Sequence, residues 1–127
     1  MYLLDSNIYI GLSLSNDALH QKSFDIYTSL WSDQYIVVPY SIFTETITVL
    51  TYKSWKKLAM DFVDFLEEDD RFLFREDKGD EAFDFWLWVD RKMWYTDIAI
   101  VHIATSMWLE LISLDKQVMS LYQEFLW

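Results

Sequence analysis

Asp5, Glu45, Asp97 and Asp115 are the residues of this chain best suited to chemistry, because each falls where a strand ends or a helix begins. Two carboxylates about 4 Å apart repel by ~4 kcal/mol at an effective dielectric near 20. Several gathered together must therefore bind a cation or take up protons. All-oxygen ligation suits Mg²⁺ or Mn²⁺, which hold a few carboxylates together with waters and a substrate phosphate. Such an ion lowers the pKa of bound water and neutralises charge building at a phosphorus centre. The chain has no cysteine and two histidines, His20 and His102, so thiol chemistry, disulfides and a His-rich metal centre are excluded. The glycine signatures of dinucleotide and P-loop sites are absent, as is G-x-S-x-G. An all-carboxylate site fits metal-assisted phosphodiester hydrolysis and does not fit acyl transfer.

The elements that must position these acids are readable from local pattern. Tyr2-Leu3-Leu4 is a short apolar run halted by Asp5-Ser6-Asn7, which reads as a buried strand ending in a polar loop. Residues 18–31 read as a helix. Tyr35-Ile36-Val37-Val38, stopped by Pro39, predicts a second strand. Ser41 is placed to cap a helix running to about Tyr52, with Glu45 in its first turn. Ser54 starts another helix, with Trp55, Leu58, Phe62, Phe65 and Leu66 on its inner stripe. Phe72-Leu73-Phe74 is a third strand, and residues 80–92 a helix with two apolar faces, one of which calls for a partner. Thr96 caps a core helix opened by Asp97. A fourth strand, Leu111 to Leu114, ends at Asp115, and a last helix follows from Lys116 to Phe125. Short apolar strands alternating with helices imply a parallel sheet covered on both faces: one α/β domain over residues 1–127, a three-layer α/β/α sandwich with four to five central strands. In such sheets ligands bind beyond the carboxyl ends of the strands, the edge to which all four acids map.

Each acid alone also has an ordinary explanation. Asp97 is suited to a helix N-terminus by the macrodipole, and Asp115 can simply begin the last helix. Glu45 is harder to dismiss, since a capping box from Ser41 needs its acid at position 44, which is Thr44. Asp5 follows apolar residues where a carboxylate is costly without a partner. His102, five residues past Asp97, points ~140° away around the helix and reads as a core or interface histidine. The role of His20 stays open.

The net charge is −11, which disfavours coating nucleic acid by charge alone. The stretch 67–84, however, holds nine acids and three bases, a local net of −6. It reads as a solvated face, or as a docking surface for a basic partner. Lys53, Lys56, Lys57, Arg91, Lys92 and Lys116 are candidates for phosphate contacts. No segment is apolar enough to span a membrane. The N-terminus lacks the basic flank of a signal peptide, so a cytoplasmic protein is expected.

The segments YLLDSNIYI, PYSIFTETITVL, YTDIAIVHIATS and LISLDKQV, taken in order, resemble the successive motifs of the PIN domain. More narrowly, they are similar to the VapC-type ribonuclease toxins of prokaryotic toxin–antitoxin pairs. The resemblance runs over nearly the whole chain and implies an α/β/α sandwich with Mg²⁺- or Mn²⁺-dependent endoribonuclease activity. Asp5, Glu45, Asp97 and Asp115 stand at the family's acidic positions, with Asp5, Asp97 and Asp115 as metal ligands. Ser6 and Asn7 match the small hydroxyl and amide after the first acid, and Ser113 the hydroxyl before the last. The resemblance also implies an RNA substrate and a small antitoxin that presents a basic residue to the acids. The family usually adds a fifth strand after the last helix. Here the sequence stops twelve residues past Asp115, so that strand is expected to be missing or very short. The surplus aromatics Phe85, Trp86 and Trp88 predict a homodimer. Alternatives are a PIN-fold RNA-processing nuclease without an antitoxin, and a non-catalytic interaction module of the same fold.

Overall fold

The computed structural model describes residues 1–77 and 79–126. Its centre is a parallel sheet of four short strands: β1 (Tyr2–Leu4), β2 (Ile36–Pro39), β3 (Phe72–Arg75) and β4 (Glu110–Ile112), in the order β3-β2-β1-β4. β1 is an inner strand, with Leu3 opposite both Val37 and Leu111. Leu3 and Leu4 are fully buried, each a gain of about 1.5–3 kcal/mol. The helices α1 (Ser6–Ser13), α2 (His20–Ser29), α3 (Tyr40–Ser54) and α4 (Lys57–Glu67) pack among themselves, as do α5 (Gly79–Trp88), α6 (Tyr95–Ser106) and α7 (Lys116–Phe125). The result is the three-layer α/β/α sandwich expected, with four strands among the described residues.

Three local expectations are corrected. Asp5-Ser6-Asn7 is not a loop but the start of α1, whose N-cap is Asp5. One face of α1 is buried through Ile8, Tyr9 and Gly11. Gly11 is required there, because a Cβ at that position would lie 2.1 Å from the Ser23 hydroxyl oxygen on α2. Neither Ser41 nor Thr96 is a cap: α3 begins at Tyr40 after Pro39, and α6 begins at Tyr95 after Trp94. Glu45 therefore sits in the second turn of α3, not the first. The Ser41 amide donates instead to the Asp77 carboxylate at 3.1 Å. Finally, α5 ends at Trp88 rather than running to residue 92. Met93 packs on the core, and the chain must leave the helix to deliver it there.

Ser54 ends α3 rather than starting α4, which begins at Lys57, although its hydroxyl accepts the Leu58 amide at 3.1 Å; Trp55, expected on the inner stripe, is 70% exposed. On α5, Ala82 is buried and Phe85 packs on His102 and Phe125, with ring centroids 5.2 and 5.1 Å away. Phe85 is thus part of the core and not of the outer aromatic face, which comprises Phe83, Trp86, Leu87 and Trp88. His102 is a half-buried packing residue, 3.9 Å from Glu81. The His20 Nδ1 lies 2.8 Å from the Gly11 carbonyl and ties α2 to α1.

Candidate active site

β1 connects onward to β2 on one side, while β4 lies on its other side. The carboxyl ends of β1 and β4 therefore flank the switch point of the sheet, where a crevice forms in folds of this kind. Asp5 follows β1 directly and is 3% exposed. One of its oxygens accepts the Ser6 amide at 2.7 Å, and the other accepts the Ser113 hydroxyl at 2.6 Å. Asn7 donates to that same Asp5 oxygen at 3.4 Å and to the Ser113 hydroxyl at 3.1 Å, while its own carbonyl accepts the Leu114 amide at 3.2 Å. Ser113 in turn accepts the Asp115 amide at 3.0 Å. Ser6, Asn7 and Ser113 thus stitch the end of β1 to the end of β4 and fix the orientation of the Asp5 carboxylate. Asp115 is the N-cap of α7 and accepts the Gln117 amide at 2.8 Å.

Glu45 and Asp97, both half-buried, share an open cleft of about 440 Å³ whose walls include Ser41, Thr44, Thr48 and Trp94. The four acids feel one another. Burial pushes the Asp97 carboxyl up to about 6, and repulsion from Asp5, Glu45 and Asp115 adds to the rise. Glu45 is raised by burial and then by Asp5, against a lowering contribution from the Ser6 hydroxyl. Asp5 is raised by burial and, more weakly, by Asp115, while its hydrogen bonds from Ser113 and Ser6 pull the other way. Among the described residues none of the four is paired with a lysine or arginine. The apolar cavity between α1, α2 and α4, lined by Tyr9, Phe24 and Phe62, contains none of them.

No family model and no curated protein matches this chain. Among solved structures, VapC20 of Mycobacterium tuberculosis, described as a toxin that cleaves the sarcin–ricin loop, superposes on it with a TM-score of 0.81. The superposition covers 95% of each chain at 13% identity. The fold is that of a VapC toxin.

Within this VapC fold, the donor set is hard oxygen throughout and mutually repulsive, which is the chemistry that suits Mg²⁺ or Mn²⁺. The side chains are not, however, closed around one point: among the described residues no three His, Asp or Glu groups are arranged to hold a single ion. Asp5 and Asp115 each spend oxygens on backbone amides. Of the basic residues singled out in the sequence, Arg91, Lys92 and Lys116 line one groove of about 490 Å³ with Gln117 and Ser120. Lys53, Lys56 and Lys57 lie elsewhere, at the junction of α3 and α4, and Lys57 pairs with Asp61 at 3.3 Å. The residue that sequence reasoning missed is Trp94. Its signal was a large aromatic three positions before a helix-start acid, at a place where the core had no need of it.

Proposed function

We propose that this protein is an endoribonuclease that hydrolyses RNA phosphodiester bonds, and that it is the toxin of a type II toxin–antitoxin pair acting in the cytoplasm. The observation that carries the reading is the coupled, unpaired quartet Asp5, Glu45, Asp97 and Asp115 on a VapC fold. Asp5, Asp97 and Asp115 are the residues to hold Mg²⁺ or Mn²⁺, with Asp5 held in place by Ser6, Asn7 and Ser113. When bound, such an ion supplies charge neutralisation at the phosphate and a water of lowered pKa. Glu45 lines the cleft beside Asp97, and its carboxyl, raised by burial and by the nearby Asp5, is the group that would orient a water there and take up a proton. Ser6, Asn7 and Ser113 aim Asp5, and the hydrogen bonds from Ser6 and Ser113 favour its charged form against the effect of burial.

A partner antitoxin that offers a basic side chain to the quartet would relieve the same repulsion and block the site. The outer face of α5, with Trp88 83% exposed beside Leu87 and Phe83, supports a homodimer built there. The test of the nuclease reading is cleavage of purified total RNA in Mn²⁺ by partner-free protein. Wild type is expected to cleave and Asp5→Asn to be inactive; equal cleavage by both would mean a contaminant and end the assignment.

A further inference from the structure

The connection between α5 and α6 has a construction that the quartet does not explain. Met93 is anchored in the core, and its amide donates to the Arg91 carbonyl at 3.0 Å. Its two neighbours, Lys92 and Trp94, are consequently turned out to solvent. The Trp94 backbone is held firmly, its carbonyl accepting the amides of Asp97 and Ile98 at 3.1 and 3.2 Å. Its indole is nevertheless 81% exposed, and it stands in the same cleft as Glu45 and Asp97. On the other side of Met93, Lys92 faces Lys116 across a groove. Arg91 is neutralised by Glu124, whereas Lys92 and Lys116 make no ion pair among the described residues. Lys116 directly follows Asp115 in the chain, so the free cations begin where the acids end.

Resting on the nuclease reading, we propose that this connection grips the substrate strand: Trp94 stacks an unpaired RNA base beside Glu45 and Asp97, while Lys92 and Lys116 hold backbone phosphates. An indole face is a stacking platform for any base whose own face is free, which a paired base's is not. The cationic groove answers the difficulty posed by a net charge of −11. At physiological salt, charges beyond ~8 Å are largely screened, so two lysines placed at the phosphates act locally, whatever the net charge of the chain.

The test uses the full chain, an end-labelled single-stranded RNA oligonucleotide and its blunt duplex, with cleavage measured in Mn²⁺ and binding by fluorescence anisotropy in EDTA. Trp94→Ala is expected to raise KM and the EDTA dissociation constant for the single strand by on the order of 10-fold, with a far smaller fall in kcat. Trp94→Phe should recover most of that loss. The pair Lys92→Gln and Lys116→Gln should flatten the dependence of log affinity on log salt by about 1.4, the amount for two single-strand phosphates. All three positions are solvent-exposed, so the variants should keep the wild-type circular dichroism spectrum. If wild type cleaves but Trp94→Ala leaves KM unchanged, or the duplex is cut as well as the strand, the grip is refuted and that surface belongs to a protein partner. If wild type neither cleaves nor binds, the nuclease reading falls and the grip with it.

Discussion

Asp97→Asn should make the metal-free protein more stable while removing its activity. The carboxyl of Asp97 is held at about 6 against an ordinary value of 3.8. Each pH unit between those values corresponds to about 1.4 kcal/mol, which sets the cost of ionising Asp97 in the fold at about 3 kcal/mol. Half-burial lets solvent screen part of that, leaving about 1–2 kcal/mol. The sign follows from proton linkage. Below 3.8 the group is protonated in both folded and unfolded chains, and the substitution changes little. Between 3.8 and 6 the folded protein binds the extra proton, so wild-type stability falls as pH rises through this window. Above 6 the full penalty is present. Thermal unfolding followed by circular dichroism in EDTA should show Asp97→Asn melting roughly 3–8 °C above wild type at pH 7.5, with the gap closing towards pH 4. Millimolar Mg²⁺ or Mn²⁺ should raise the wild-type midpoint and leave the variant nearly unmoved. A variant that melts below wild type at pH 7.5, or a gap that does not narrow in acid, would refute the idea that burial, with repulsion from the other acids, makes an ionised Asp97 costly to the fold.

Ser113→Ala removes the 2.6 Å hydrogen bond to Asp5. Cleavage should fall by about 10–100-fold, as for other groups that orient a ligand carboxylate, and the acidic limb of the rate–pH profile should move to higher pH. Gly11→Ala drives a methyl group into Ser23 and should cost about 1–3 kcal/mol in urea unfolding; Ser23→Gly in the same chain should return most of it. Trp108 is held at φ 57 in the left-handed region and is exposed. Trp108→Gly should therefore stabilise by about 1 kcal/mol, read as a higher urea midpoint with an unchanged slope.

What the sequence reveals of this molecule depends on how far apart the cooperating residues lie. The strands are legible because Leu3-Leu4, Ile36-Val37-Val38 and Leu111-Ile112 are short apolar runs halted by Asp5, Pro39 and Ser113. The core helix α6 is legible because Ile98 to Ala104 is apolar all round except at His102. α1 was hidden because Asp5 both terminates a strand and caps a helix, and a polar triplet reads locally as a loop. The caps failed for a related reason: the Ser41 amide finds its acceptor at Asp77, thirty-six positions away, beyond any local rule. The acids themselves were legible as a set by their places at element boundaries. The threads that aim Asp5 were not readable from spacing, since Ser113 lies 108 positions on. Trp94 escaped notice because an aromatic beside a core helix is ordinarily assigned to packing.

That Asp5–Ser113 span has a consequence for how the molecule comes into being. β1 lies in the interior of the sheet, and one of its two neighbours, β4, is made more than a hundred residues after it. A growing chain on the ribosome can dock β1 against β2 early, yet it leaves Asp5 without its Ser113 anchor and without Asp115 nearby. The carboxylate quartet is thus completed only once β4 and Asp115 have been made.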